Sequence, residues 1–279
     1  MTRWATLRWL DGTRLARRDG DEYVVYARSG VADLFHQLPG MSEGIGRVPV
    51  AEADHAPLSP TPSRVICVGL NYADHIAEMG RERPTHPTLF TKFASTLAGA
   101  YDDLPLPDVS AHVDWEAELA LVIGAPAYRL SPADALGAIG GYTVANDVSM
   151  RDWQRRTTQW LAGKAFDATT PLGPELVTPD EVDHARDLAV TCLLDGVVRQ
   201  LGRTSDLVFA PADIVSYVSQ FTRLEPGDVL LTGTPGGVGA ATDDGLVAGQ
   251  VLETHVEGIG VCRNFVVADL AATTVEEAS

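Results

Sequence analysis

Lysine is almost missing from this 279-residue chain: of 21 basic residues only Lys92 and Lys164 are lysine, and the other 19 are arginine. A GC-rich coding genome explains abundant arginine. A lysine that survives such a bias is one needed as a compact, tunable ammonium, which a guanidinium is not. Positive charge as a whole is also short, the formal net charge being −17 at pH 7. That argues against nucleic acid and anionic membranes as partners, since both are bound through clustered Lys and Arg. Small anions remain open wherever cations are concentrated locally. Cys67, Cys192 and Cys262 are the only cysteines; odd in number, far apart and in apolar contexts, they read as reduced thiols, not as a disulfide or zinc framework. No apolar run approaches the ~18 residues of a membrane span, and the first residues, Met-Thr-Arg-Trp-Ala-Thr-Leu-Arg, carry no signal-peptide hydrophobic region. A cytoplasmic protein is expected.

What is present is a full apolar complement, 45% of residues, enough for a large core. Residues 1–58 hold short strand-like runs (Trp4–Leu10, Glu22–Ala27) and end in a stretch with Pro57, Pro60 and Pro62 that reads as a linker. We therefore expect a small N-terminal domain, 1–58, and a larger one, 59–279, that carries the chemistry. Strand signals recur at Arg64–Val68, Thr88–Lys92, Glu116–Ile123, Tyr142–Asp147, Leu188–Leu194, Val197–Gln200, Val229–Thr232, Val251–Val256 and Val261–Val267. Asp195-Gly196 reads as a hairpin turn. Helices are few: Ser131-Pro132 supplies an N-cap and N1 proline, and Pro211–Phe221 places Ile214, Tyr217, Val218 and Phe221 on one face. The fold class is mainly β with few helices (α+β).

The chemistry concentrates in Asp114-Trp-Glu116-Ala-Glu118-Leu-Ala-Leu-Val-Ile123 and Gly141-Tyr-Thr-Val-Ala-Asn-Asp147. From Glu116 the residues alternate, with Ala117, Leu119, Leu121 and Ile123 on one face and Glu116, Glu118 and Ala120 on the other. Side chains two apart on a strand lie about 7 Å apart and point the same way. Unpaired on a half-buried face, two glutamates would cost several kcal/mol, so either the face is solvated or a hard cation sits between them. A third carboxylate, Asp147, on a neighbouring strand favours the cation.

Upstream, Gly69-Leu-Asn-Tyr72-Ala-Asp-His75-Ile-Ala-Glu78 follows a strand. On a helical turn His75 and Glu78 share a face, either as a surface pair or as a histidine oriented by a carboxylate to act as a base. The polar segment 79–87 reads as a lid or as an ordinary surface loop. Arg151 and Asp152 read as a structural ion pair, and spacing leaves Gln154 unassigned. Gly227–Gly239 is a strand running into a glycine-rich turn where backbone can approach a ligand closely, but it is not a phosphate-binding fingerprint.

Together these segments resemble the fumarylacetoacetate hydrolase family from about Arg64 to Val267. The ordered set is Gly-x-Asn-Tyr-x-x-His75-x-x-Glu78, Leu-Phe-x-Lys92, Glu116-x-Glu118, Asn-Asp147-x-x-x-Arg-Asp, Gly-Lys164-x-Phe-Asp and Leu-Thr-Gly-Thr234-Pro. The resemblance implies the family's mixed β-roll, a homodimer, and Mg²⁺ or Mn²⁺ held by Glu116, Glu118 and Asp147. It also implies a water-activating dyad, His75 and Glu78, with Lys164 as a further catalytic group. Tyr72, Lys92, Arg151, Gln154 and Thr234 would contact the substrate. The namesake enzyme has one more aspartate ligand about seven residues before its histidine, where this chain has Val68, so the resemblance is to the shorter bacterial acylpyruvate hydrolase-like branch. The implied reaction is metal-assisted cleavage of the C–C bond of a small anionic 2,4-dioxo acid to pyruvate and a carboxylic acid. Decarboxylation of an oxaloacetate-like acid or isomerisation of a hydroxydienedioate needs the same enolate without the water. A non-catalytic metal-binding protein would not need His75, Glu78 and Lys164.

Overall fold

The computed structural model describes residues 2–36, 43–78 and 80–268. Strands dominate, in one large mixed sheet, one five-stranded sheet and a two-stranded pair, Val113–Asp114 with Ser149–Met150. Along the large sheet the order is Gly46–Pro49, Glu22–Val25, Gly12–Asp19, Arg3–Trp9, Thr170–Val177, Ile139–Asn146, Ala117–Ile123, Val229–Leu231, Val65–Gly69 and Thr88–Lys92. The segment expected to form a small domain thus extends the sheet of the remainder, joined where Arg3 and Trp4 pair with Val177 and Leu176. It also contributes Trp4, Leu15 and Tyr26 to a core shared with Ala120, Val122 and Leu172.

The strand Ala117–Ile123 is central, flanked by Ile139–Asn146 and Val229–Leu231. All seven of its residues are buried. Ala117, Leu119, Leu121 and Ile123 face the larger core, which reaches across to Cys192, Leu252 and Cys262 of the second sheet, while Ala120 and Val122 face the core shared with the N-terminal strands. The half-buried strand expected from alternation is therefore buried on both faces, and no solvated face exists for the glutamates.

The second sheet runs Val197–Arg203, Ala189–Leu194, Val251–Val256, Gly260–Ala268, Leu104–Leu106. Its hairpin turns at Asp195-Gly196 as expected, with φ of 51° and 77°, the doubly left-handed turn whose twist suits flanking strands. Ser131 caps its short helix by accepting from the Asp134 N–H at 3.3 Å. The helix Pro211–Ser219 buries Ile214 and Val218, but Phe221, expected on the same helical face, lies beyond its end and is 62% exposed. The three cysteines are buried free thiols. Among the described residues no helix is long and apolar enough to cross a membrane.

Candidate metal centre and active-site cavity

Two adjacent strand ends create the acidic cluster. Ala117 pairs with Asn146, and one residue further the Asp147 N–H donates to the Glu116 carbonyl at 2.8 Å. This sets Glu116 and Asp147 side by side as the ladder opens. Glu118 follows on the same face of its strand. One carboxylate oxygen from each of Glu116, Glu118 and Asp147 lies within 4.8 Å of the others, and all three residues are buried.

Three cations attend the cluster. The Lys164 ammonium donates to Glu116 Oε2 and Asp147 Oδ2, both at 2.7 Å. Lys92, with its side chain fully buried, donates to Asp147 Oδ1 at 2.6 Å. Arg151 reaches Glu116 Oε1 at 2.6 Å and Asp114 Oδ2 at 2.7 Å. Glu118 has no ion-pair partner among the described residues; its Oε2 accepts only the Gly233 N–H, at 2.5 Å. The consequences for charge diverge. Burial pushes Glu116 up, but Lys164 and Arg151 outweigh it and hold the carboxyl at about 2. Glu118 is pushed well above the usual carboxylate range by burial, with Asp147 and Glu116 adding repulsion. Burial also works against a charged Lys164, yet Asp147 and Glu116 keep the ammonium more firmly protonated than usual. An oxygen-only donor set with one unneutralised buried carboxylate fits a hard divalent cation such as Mg²⁺ or Mn²⁺.

Beside the cluster lies a cavity of about 490 Å³. Glu116 is the only acidic residue on its wall, which carries Arg81, Arg151, Arg155 and Lys164, a local reversal of the chain's net charge of −17. His75 also lines it, from the helix Ala73–Glu78. Its Nδ1 is 3.2 Å from Glu78 Oε2, so Glu78 orients the ring and the other nitrogen is left for chemistry.

The glycine-rich turn after Val229–Leu231 uses its backbone differently from expectation. Its N–H groups meet the protein's own carboxylates: Gly233 donates to Glu118 (2.5 Å), Gly236 to Asp74 (3.3 Å), Gly237 to Glu78 (3.1 Å) and Gly239 to Asp114 (2.7 Å). One turn therefore braces the acidic cluster, the His75–Glu78 pair and the partner of Arg151. Gly237 needs its glycine, since φ is +94° and a Cβ would come 2.2 Å from the Arg199 carbonyl.

The expected substrate contacts divide. Arg151, Gln154, Lys164 and Thr234 line the cavity; Tyr72 and Lys92 do not. Tyr72 is fully buried and Lys92 is 3% exposed, which places Lys92 behind the cluster as a counter-ion. Arg151 and Asp152 do not pair with each other: Asp152 accepts from Ser110 at 2.6 Å, and Arg151 turns inward to Asp114, Glu116 and Gln154 (2.9 Å). The Thr234 hydroxyl is already engaged, donating to the Ala117 carbonyl at 2.9 Å and accepting from Gln200 at 2.8 Å. Val68, at the place of the missing aspartate, lines the cavity. In the segment 79–87, Met79 lies outside the described residues, and Arg81 reaches the cavity wall.

Sequence reasoning missed the supports. Asp114 is 1% exposed and accepts from Arg151, Gly239 and Ala240. Asn146 holds the Glu116 N–H at 3.0 Å, and Gln200 holds the Ala117 N–H at 2.9 Å. Asp114 stood beside Glu116 in the acidic run; Gln200 left no signal, because its partner lies 83 residues away.

A mitochondrial oxaloacetate tautomerase of Homo sapiens is 46% identical over 210 residues, covering 74% of this chain and 67% of its own. A fumarylacetoacetate hydrolase of Exiguobacterium antarcticum superposes with TM-score 0.86 at 32% identity, covering 96% of this chain and 100% of its own. A 2-hydroxyhepta-2,4-diene-1,7-dioate isomerase of Mycobacterium marinum gives 0.82 at 31% identity, over 97% and 100%. The model of the C-terminal part of fumarylacetoacetate (FAA) hydrolase matches residues 64–267, a span that contains the acidic cluster, the histidine pair and the cavity wall. On this ground the chain belongs to the fumarylacetoacetate hydrolase family.

Proposed function

We propose that this protein is a Mg²⁺- or Mn²⁺-dependent enzyme that makes and unmakes the enolate of a small anionic 2-oxo acid, interconverting the keto and enol forms of an oxaloacetate-type substrate. One observation carries the reading: a cation-walled cavity is lined both by Glu116 of the buried acidic triad and by an oriented histidine. The 46% identity to a protein named as an oxaloacetate tautomerase supports it. A divalent ion held by Glu116, Glu118 and Asp147 would supply positive charge where the enolate oxygen develops.

The chain's own groups do the rest. Glu78 accepts from His75 Nδ1 and is itself pinned by the Gly237 N–H, leaving Nε2 as the base. That nitrogen takes a proton from C3 of the keto acid and returns it at the 2-oxo oxygen to give the enol; the reverse transfer gives the keto form. No heavy-atom bond changes, so one residue serves both directions. The wall carries four cations, Arg81, Arg151, Arg155 and Lys164, against one acid, Glu116, a balance that draws an anion in.

The test is to mix enol-rich oxaloacetate with the protein and follow decay of the enol absorbance, with Mg²⁺ and with chelator. Decay no faster than in buffer would sink the proposal. A second reading, hydrolysis of an acylpyruvate to pyruvate and a carboxylic acid, draws on the same His75–Glu78 pair delivering a proton-depleted water instead. Release of pyruvate from 2,4-dioxo acids, with no enol decay, would favour it. We further propose a homodimer; light scattering that gave the mass of one 29.8 kDa chain at micromolar concentration would rule it out.

A further inference from the structure

Acidic residues outnumber basic ones by 38 to 21 in this chain, so an arginine without a partner is the exception. Among the described residues only Arg17, Arg81, Arg83 and Arg155 have side chains with no hydrogen bond, ion pair or ring contact, and two of these four line the single cavity beside the acidic triad. Arg81 comes from the loop that follows Glu78, and Arg155 from the residue after the short helix Arg151–Gln154. They stand on different elements and are exposed. The other two cations of the wall are already committed: Lys164 to Glu116 and Asp147, and Arg151 to Asp114 and Glu116. The cavity of about 490 Å³ is larger than a three-carbon acid needs.

We infer that Arg81 and Arg155 bind a second carboxylate of the substrate, the one remote from the 2-oxo group, so that the site selects dicarboxylic over monocarboxylic 2-oxo acids. The inference deepens the proposed function and rests on the cavity being a 2-oxo acid site. A guanidinium presents a planar fork that matches a carboxylate, and two of them free of internal partners have no competing acceptor to release. Because Arg81 lies on the loop after the His75–Glu78 helix, its contact with a bound dianion also ties that loop to the occupied cavity. A monoanionic substrate leaves it untied.

The experiment uses the Mg²⁺-loaded full chain with two ligands that differ in one charge, oxaloacetate and its 4-methyl ester. Affinity is read by calorimetry and turnover by enol decay, for the wild type, Arg81→Gln, Arg155→Gln, Arg155→Lys and the double glutamine variant. A lost charged hydrogen bond corresponds to about tenfold to a hundredfold. The wild type should therefore prefer the dianion, each glutamine variant should lose about tenfold or more of that preference, and the lysine should restore part of it. The dianion-to-ester affinity ratio is independent of turnover. A preference that survives the double substitution, a wild type with no preference, or a wild type that binds neither ligand each overturns the inference. A ratio that collapses in a protein without enol turnover upholds the two arginines and removes the proposed reaction instead.

Discussion

Replacing Glu118 by glutamine should make the metal-free protein more stable and shrink the stabilisation that metal supplies. Glu118 is 1% exposed, has no cationic partner among the described residues and shares its surroundings with two carboxylates within 4.8 Å. At that separation and an effective dielectric of about 20, two unit charges repel by about 3.5 kcal/mol. Part of this is relieved by proton uptake and part is offset by the attraction of Lys164. We expect a net gain of about 1–3 kcal/mol for Glu118→Gln in chelator, or roughly 2–4 °C in Tm per kcal/mol for a chain of this size. Glutamine keeps an acceptor for the Gly233 N–H, so little else is lost. The sign with pH follows from the raised carboxyl. The folded state holds this proton more tightly than the unfolded state, so Glu118 destabilises the chelated wild type increasingly as pH rises from about 4.5, and the variant lacks that decline. With metal at about a hundred times Kd the wild type gains roughly 2.7 kcal/mol, whereas a variant binding tenfold or more weakly gains about half of that or less. Thermal scans of both proteins, with Mg²⁺ or Mn²⁺ and with chelator, should therefore converge, metal raising the wild type by about 1.3 kcal/mol more than the variant. A chelated variant that melts below the wild type, or equal metal-induced shifts in both, would refute the reasoning.

Three further outcomes are expected. His75→Ala should lower turnover by ~10²–10⁴-fold while calorimetric metal affinity stays within about twofold, because the ring hydrogen-bonds Glu78 and is not one of the three carboxylates of the cluster; tenfold weaker metal binding would contradict this. Asp114→Asn strips the charge from a buried pair with Arg151 and should cost about 3 kcal/mol, read from the denaturant midpoint; a loss under about 0.5 kcal/mol would show that Glu116 alone holds Arg151. Gly237→Ala forces a side chain onto a left-handed residue against a carbonyl 2.2 Å away, and should cost about 1–3 kcal/mol and slow turnover by loosening Glu78. Unchanged kcat and melting would mean that the turn has room to relax.

Much of the sheet was legible because local chemistry and tertiary packing agree there. The alternation through Glu116–Ile123, the Asp195-Gly196 turn and the Ser131 cap all act over a few residues. The strand Gly12–Asp19, Gly-Thr-Arg-Leu-Ala-Arg-Arg-Asp, was missed because its charged side chains hide the pattern. Thr170–Val177 was missed because Pro171 and Pro174 argue against a strand interior. It is nonetheless central, and its ladder with Ile139–Asn146 shifts register between Tyr142 and Val144, so Pro174 falls where pairing is irregular, while Pro171 lies beyond Leu172, the last residue paired in that ladder, and opposite Ala98. The acidic triad was readable from spacing, since two members are i and i+2 on one strand. That Lys92 and Tyr72 stand off the cavity was not, because a motif fixes which residues recur together and leaves open which side of the cluster each one occupies.

The scarcity of lysine acquires a geometric reason. Lys164 sits between Glu116 Oε2 and Asp147 Oδ2 at 2.7 Å each, and Lys92 has Asp147 Oδ1 and the Val148 carbonyl. Each site offers two acceptors in buried surroundings, where a guanidinium would leave several of its five donors unpaired at a cost of 1–3 kcal/mol apiece. Arginine appears where acceptors are more numerous: Arg151 has Asp114, Glu116 and Gln154. Around the acidic cluster the result is three buried cations, Lys92, Arg151 and Lys164, against four buried carboxylates, Asp114, Glu116, Glu118 and Asp147, with Glu118 the one left unmatched. A divalent cation converts that deficit into a surplus of one positive charge, which the carboxylate of a 2-oxo acid neutralises. A second carboxylate on the same substrate then finds no positive charge left inside the cluster. The cations still free on the cavity wall are Arg81 and Arg155, and the same accounting that calls for a metal at Glu118 calls for a dianion between the metal and these two side chains.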